Sequence, residues 1–184
     1  MKFVAVILCL AIQLEVTAFA QDCTISSQEE QALIAKTYSE FDQSMGKGWR
    51  AYADRGCYAL CSKILDRYVT EHRATMLDWQ ISVVTWHAGQ MYAYDGVYDL
   101  ARLRFRATIN PNEPKDTPIL WNDYVNATLA FLDKDMDKLV FHRNRIAEGP
   151  EFNGSKANLA VVDGLIRCFD KPYAVAYGSG ECRK

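Results

Sequence analysis

Residues 86–105 read WHAGQMYAYDGVYDLARLRF, and this stretch decides the fold of the chain. Its two glycines, Gly89 and Gly96, stand seven positions apart, with helical spacing of apolar residues on both sides. A phosphate-binding glycine loop needs a preceding strand and more closely spaced glycines. We therefore expect two packed helices here, joined by a turn at Asp95-Gly96, and not a ligand-binding loop.

The spacing of this stretch occurs twice in the chain. The first copy begins at Tyr52 and the second at Tyr92, forty positions later. Both copies share tyrosine, alanine, glycine, tyrosine and leucine in the same order, and a small residue follows, Cys61 in one and Ala101 in the other. A repeated unit of this length is typical of arrays of helical hairpins.

The second copy resembles the tetratricopeptide repeat (TPR). The positions that carry the resemblance are Gly89, Tyr92, Gly96, Tyr98, Ala101 and Phe105. The pattern departs from the family in its spacing of about forty residues, against thirty-four in the family, and in having Ala88 where leucine is usual. The resemblance covers about residues 46–148, with a third, decayed hairpin at 117–148.

Apolar residues recur at helical intervals through most of the chain, and no convincing alternation predicts a strand. We therefore expect an all-α protein of antiparallel helical hairpins, stacked as a short TPR-like array and stapled by disulfides. The alternative is an irregular helical bundle that contains one such hairpin. A single helical domain is expected over 21–184, with Thr117 capping the helix of the third hairpin, Ser155 opening a last helix over 155–169, and an irregular tail at 170–184.

The first twenty residues predict a secretory signal peptide that is cleaved. Lys2 precedes an apolar run at 3–14, and Ala18-Phe19-Ala20 matches a small-x-small cleavage site. No later segment has the uninterrupted apolar length of a membrane span. We expect a periplasmic or secreted protein, more in keeping with a bacterial source; in a eukaryote, the Asn126 and Asn153 sequons would be candidate glycosylation sites.

Five cysteines remain after such a cleavage, and an exported protein pairs cysteines as disulfides. Cys61 matches the buried small position of Ala101, which favours it as the free thiol. We therefore predict the pairs Cys23–Cys57 and Cys168–Cys182, with Cys23–Cys61 as the competing pairing.

Composition and motifs exclude several classes of function. The chain has 21 Lys and Arg residues against 23 Asp and Glu residues, so no basic footprint for nucleic acid is visible. The three histidines are scattered, and no hydrolase motif or second Cys/His pair indicates a catalytic centre, a metal site or a cofactor. Carboxylates that converge in the fold could still form an acid–base pair, although the sequence does not show which ones.

The TPR resemblance implies a concave groove that binds a protein or peptide partner. The positions that it places in this groove are Arg50, Trp86, Gln90, Tyr94, Trp121, Tyr124 and Thr128. We therefore expect an exported scaffold for protein or peptide binding, more a binding protein than an enzyme. The alternatives are a cell-envelope hydrolase on a helical fold and an inhibitor or immunity-type protein that blocks an extracytoplasmic enzyme.

Overall fold

The computed structural model describes residues 22–183, so the expected signal peptide lies outside the described residues. Within 22–183 the chain is helical, with nine α-helices, one π-helical turn at Ser39–Gln43 and no strand, which confirms the all-α class. The α-helices are α1 (Ser27–Ile34), α2 (Arg50–Ala53), α3 (Tyr58–His72), α4 (Asp78–Tyr94), α5 (Tyr98–Arg106), α6 (Trp121–Leu132), α7 (Met136–Glu148), α8 (Leu159–Arg167) and α9 (Tyr173–Gly178).

Consecutive helices pack against each other as hairpins. The most extensive helix–helix contacts are those of α3 with α4, α4 with α5, and α6 with α7. Gly96 takes a left-handed φ of 77° in the turn between α4 and α5, and Gly56 takes the same value between α2 and α3. The two copies of the repeated pattern therefore make equivalent turns, as an array of helical hairpins requires.

Two apolar clusters form the core, and α4 lies between them. The first cluster surrounds Trp49, Leu65 and Tyr68, and its members come mainly from α1 to α4. The second surrounds Phe105 and Phe131 and draws on α4 to α9. Because α4 contributes buried side chains to both clusters, it is the central helix of the domain.

The beginnings of two helices differ from the sequence-based expectation. Helix α6 begins at Trp121, because the Thr117 hydroxyl donates to the Ile119 carbonyl (3.1 Å) instead of capping a helix. Helix α8 begins at Leu159, because Ser155 is engaged in an isolated β-bridge with Phe152. The segment 170–184, expected to be irregular, contains the short helix α9.

Two disulfides staple the ends of the domain. Cys23 is bonded to Cys57 and Cys168 to Cys182, which confirms both predicted pairs, while Cys61 is free and buried. The first bond ties the N-terminal segment to the start of α3, and the second encloses α9 in a loop that begins at the end of α8. Among residues 22–183, no helix has both the length and the apolar character needed to cross a bilayer.

The contact at Gly89 leads to a prediction about stability. A Cβ atom built on Gly89 would lie 2.7 Å from two ring carbons of the fully buried Phe105, which cannot move without disturbing the core. We expect Gly89→Val to lower the free energy of unfolding by roughly 1–3 kcal/mol. The matched control is Gly180→Val, because Gly180 has open space around it. Urea unfolding measures both, and equal stabilities for the two variants would contradict close packing of α4 on α5.

The cysteines lead to a second prediction, on reactivity. Burial raises the pKa of the Cys61 thiol to about 12, so this thiol is both inaccessible and uncharged at neutral pH. Alkylation followed by peptide mass spectrometry should label Cys61 only after the protein is unfolded. The four paired cysteines should be labelled only after unfolding and reduction together. Labelling of Cys61 in the native protein would show that this part of the core is open.

Candidate functional site

An open groove of about 590 Å³ lies between α2, α4 and α9, and we call it the α4 groove. A volume of this size falls within the range of roughly 300–1,000 Å³ that is typical of ligand sites. The residues that line it are Met45, Trp49, Arg50, Ala53, Asp54, Tyr58, His87, Gln90, Met91, Tyr94, Ala174, Tyr177 and Gly178. Three separate parts of the chain therefore build one surface.

Helical spacing places the floor of the groove. His87, Gln90 and Tyr94 follow one another at steps of three and four along α4, so their side chains share one face of that helix. Tyr177 and Ala174 form the opposite wall from α9. This wall is held in place by the Cys168–Cys182 bond and by Tyr173, which is fully buried.

A buried carboxylate organises one end of the groove. Asp42 lies in the π-helical turn and has no solvent exposure. Its Oδ1 accepts hydrogen bonds from Trp49 Nε1 at 2.9 Å and His87 Nδ1 at 2.7 Å, and its Oδ2 accepts one from Gln43 Nε2 at 2.6 Å. Burial on its own would raise the pKa of Asp42. The hydrogen bond and electrostatic interaction with His87 outweigh this effect, together with the hydrogen bond from Trp49 and the charge of Arg50. The pKa of Asp42 therefore lies below its ordinary value. Asp42 is therefore an anion that fixes the tautomer and orientation of His87.

Arg50 is held beside His87 with donors to spare. Its Nε donates to the backbone carbonyl of Asp42 at 2.8 Å, and its guanidinium lies 4.4 Å from the centre of the Trp49 ring. Its Nη2 lies 3.5 Å from His87 Nε2 and 4.0 Å from Asp42 Oδ2, while Nη1 makes no hydrogen bond with any of residues 22–183. The guanidinium is thus fixed in place and can still bind an incoming anion.

Tyrosines form the other end of the groove. The rings of Tyr58 and Tyr94 stack at 4.9 Å, and Tyr177 meets Tyr94 edge-on at 6.0 Å. Burial raises the pKa of Tyr94 to about 12, so its hydroxyl stays protonated at neutral pH. These three rings give the groove an apolar surface with polar tips, which suits the binding of flat or apolar groups.

Gln90 is a largely buried amide on the floor of the groove. It is only 7% exposed, and its amide lies beside the buried hydroxyl of Tyr173. An amide carries two donors and one acceptor, so a single neighbouring hydroxyl leaves groups of Gln90 that can meet a ligand atom or a water molecule in the groove.

The structure brings three of the seven predicted groove residues together and places the other four elsewhere. Arg50, Gln90 and Tyr94 line the α4 groove. The remaining four are Trp86, Tyr124 and Thr128, which are buried in the core, and Trp121, which is half-buried and donates through Nε1 to the Thr108 carbonyl.

Sequence reasoning missed His87, Tyr58 and Tyr177 as groove residues. His87 could have been found, since it precedes Gln90 by three positions and Tyr94 by seven on the same helical face. Nothing in the sequence predicted Tyr177, because α9 is too short to show a helical period.

A second cluster of aspartate, histidine and arginine lies on the α6–α7 hairpin. Asp123 Oδ1 accepts hydrogen bonds from His142 Nδ1 and Arg145 Nε, both at 2.8 Å. His142 borders a smaller cavity of about 190 Å³. In this cluster the arginine binds the carboxylate directly, so the charge of Arg145 is matched within the cluster.

No metal centre is present among residues 22–183, where no three His, Cys, Asp or Glu side chains come together in a metal-binding arrangement. The free thiol of Cys61 does not reach the groove, because its Sγ lies behind Trp49, 3.5 Å from the Trp49 carbonyl. The groove is therefore equipped to bind through an arginine, a histidine, an amide and aromatic rings.

No protein-family model, no curated protein and no solved structure matches the chain.

Asp42 leads to a prediction about pH. Its pKa in the folded protein lies below the ordinary value of 3.8, so its stabilisation is complete above that value and is lost as the pH falls through the lower folded pKa. At about pH 7, we expect Asp42→Asn to lower the free energy of unfolding by roughly 1–3 kcal/mol, because it weakens bonds to three donors. The difference from the unmodified protein should narrow towards about pH 3.

Urea unfolding at the two pH values tests this, with Asp99→Asn as the control. The Asp99 side chain is 99% exposed, so its replacement should change stability by less than about 0.5 kcal/mol. A cost for Asp42→Asn that is the same at both pH values would contradict a stabilising carboxylate.

Proposed function

We propose that the protein is an exported, TPR-like scaffold that binds a peptide segment of a partner protein in the α4 groove. The observation that carries this proposal is the convergence of Arg50, Gln90 and Tyr94 with His87 and Tyr177 on one open groove. A groove that combines aromatic rings with fixed polar groups resembles the centre of a binding hot spot.

The arrangement of the hairpins supports the TPR-like part of the proposal. In such arrays the first helix of each hairpin faces the concave binding surface. Helices α2 and α4 are the first helices of the two repeated units, and both contribute side chains to the groove. The turns that follow these two helices also share the same left-handed φ of 77°, at Gly56 and Gly96.

Export is supported by two observations. Both disulfides require an oxidising compartment to form and persist. The N-terminal sequence also has the three regions of a cleaved signal peptide, as described above. The proposal places the protein in the periplasm or outside the cell.

A hydrolase is the second candidate, because a buried aspartate that orients a histidine is also the arrangement of a general base. Two observations favour binding over hydrolysis. Arg50 Nη2 lies beside His87 Nε2, the atom that would take a proton from water. None of the residues lining the groove is serine, threonine or cysteine, so the groove lacks the nucleophile that a histidine–aspartate pair activates in covalent hydrolases. An inhibitor of an extracytoplasmic enzyme would use the same groove with that enzyme as its partner.

Blocking the groove tests the proposal. Ala174 lines the groove on α9, whereas the neighbouring Val175 is 41% exposed and points elsewhere. We expect a displayed library of random peptides to yield binders to the purified, oxidised protein, and Ala174→Trp to weaken their binding at least about tenfold by filling the groove.

Val175→Trp is the matched control, since it adds the same ring one position along the same helix and should leave binding unchanged. Melting temperatures establish that both variants are folded. If selected peptides bind Ala174→Trp as tightly as they bind the unmodified protein, the α4 groove is not the binding surface.

A further inference from the structure

We propose that the α4 groove recognises an acidic side chain within its peptide ligand, and that Arg50 receives the carboxylate. This inference rests on the proposed function, because it names the chemistry of the segment that the groove would bind. It concerns the side chain of an aspartate or glutamate inside the segment, with an apolar or aromatic residue beside it.

The contrast between the two clusters of aspartate, histidine and arginine is the first step. On the α6–α7 hairpin, Arg145 Nε lies 2.8 and 3.0 Å from the two carboxylate oxygens of Asp123. The charges of Arg145 and Asp123 therefore compensate each other. In the groove, the guanidinium of Arg50 comes no closer than 4.0 Å to the carboxylate of Asp42. The Nε of Arg50 donates its hydrogen bond to the backbone carbonyl of Asp42 instead. Two clusters of the same composition therefore differ in whether the arginine is neutralised by direct contact.

The donors around Asp42 explain why Arg50 makes no direct hydrogen bond to that carboxylate. Trp49, Gln43 and His87 already supply three hydrogen bonds to this carboxylate. Arg50 stacks on the Trp49 ring, which orients its guanidinium without using its Nη donors. A carboxylate that arrives from the groove can take two parallel hydrogen bonds from such a fork, which is the strongest geometry that an arginine offers.

His87 helps to orient Arg50 at this anion site. Because Nδ1 donates to Asp42, the remaining ring nitrogen, Nε2, is the acceptor, and it lies 3.5 Å from Arg50 Nη2. A ligand carboxylate would therefore bind the donors of Arg50 that His87 leaves free, on the side that faces the groove. The carboxylates nearby do not compete for this place, since Asp42 is buried behind His87 and Asp54 is exposed to solvent at the rim.

The remainder of the groove fits the neighbouring part of a peptide. The Gln90 amide, which lines the floor beside the Tyr173 hydroxyl, carries both donors and an acceptor, as a peptide group requires. The rings of Tyr58, Tyr94 and Tyr177 line the groove next to it. The guanidinium of Arg183 lies 5.4 Å from the centre of the Tyr177 ring. An acidic residue followed by an apolar one therefore matches the order of groups along the groove.

The test begins with peptides selected from the displayed random library on the purified, oxidised protein. The expected result is enrichment of aspartate or glutamate next to an aromatic or aliphatic residue. The strongest binder is then synthesised in three forms: unchanged, with its acidic side chain replaced by the corresponding amide, and with its C-terminus amidated. Calorimetry measures the affinity of each form.

Protein variants complete a double-mutant cycle. The amide replacement should weaken binding to the unmodified protein at least about tenfold, and should weaken it little or not at all for Arg50→Gln, where the partner is already missing. Arg145→Gln is the matched control and should show the full loss. Arg50→Lys keeps the positive charge but lacks the two parallel donors of the guanidinium, and it serves as a second variant in case Arg50→Gln does not fold. It should retain part of the preference for the acidic peptide over its amide form.

Three outcomes separate the possibilities. In the first outcome, Ala174→Trp abolishes peptide binding, but replacing the acidic side chain of the peptide by its amide has no effect. The recognition of an acidic side chain is then overturned and the proposed function stands. If the C-terminal amide alone abolishes binding, the groove reads a chain terminus, and the side-chain proposal is again overturned. If no selected peptide depends on the groove, both the acidic recognition and the proposed function are overturned.

Discussion

The hydrogen bonds of the buried Asp42 carboxylate are the interaction on which the groove depends. They connect the π-helical turn to Trp49, seven positions away, and to His87, which lies 45 positions away on α4. An anion without solvent exposure must be compensated by its neighbours, because an unpaired buried charge costs several kcal/mol. This side chain therefore links the segment before α2 to the central helix. Loss of its carboxylate would remove the hydrogen bonds that orient Trp49 and His87 and the negative charge that faces Arg50.

Helix α4 carries both the core and the site, and the two tasks use different faces. One face meets α5 at Gly89, where the absence of a side chain allows Phe105 to approach. The other presents His87, Gln90 and Tyr94 to the groove. Since buried side chains of α4 belong to both apolar clusters, the position of the groove floor is fixed by the packing of the whole domain. The floor of the groove is thus carried by a rigid helix.

The sequence predicted those features that local spacing determines. The α4–α5 hairpin followed from the register of Gly89, Gly96 and the aromatic residues, and the disulfides followed from matching Cys61 to Ala101. The partnership of Asp42 with His87 could not be predicted, because it joins distant segments through a turn that has no sequence signature. The repeat pattern predicts that Trp86 and Tyr124 lie in the groove, yet they pack on each other in the core. In an aromatic-rich helix, spacing alone does not distinguish the face that meets a neighbouring hairpin from the face that meets a partner.

The two disulfides stand at opposite ends of the chain, yet each one secures a different wall of the same groove. Cys23–Cys57 fixes the turn that follows α2, and Cys168–Cys182 encloses α9. A chain whose thiols are still reduced would lack the covalent ties of both walls, and closing loops of this kind contributes roughly 2–4 kcal/mol each. Formation of the complete groove is thereby coupled to oxidation of four thiols. The same chain in a reducing compartment would hold the two walls of the groove less firmly than it does where thiols are oxidised.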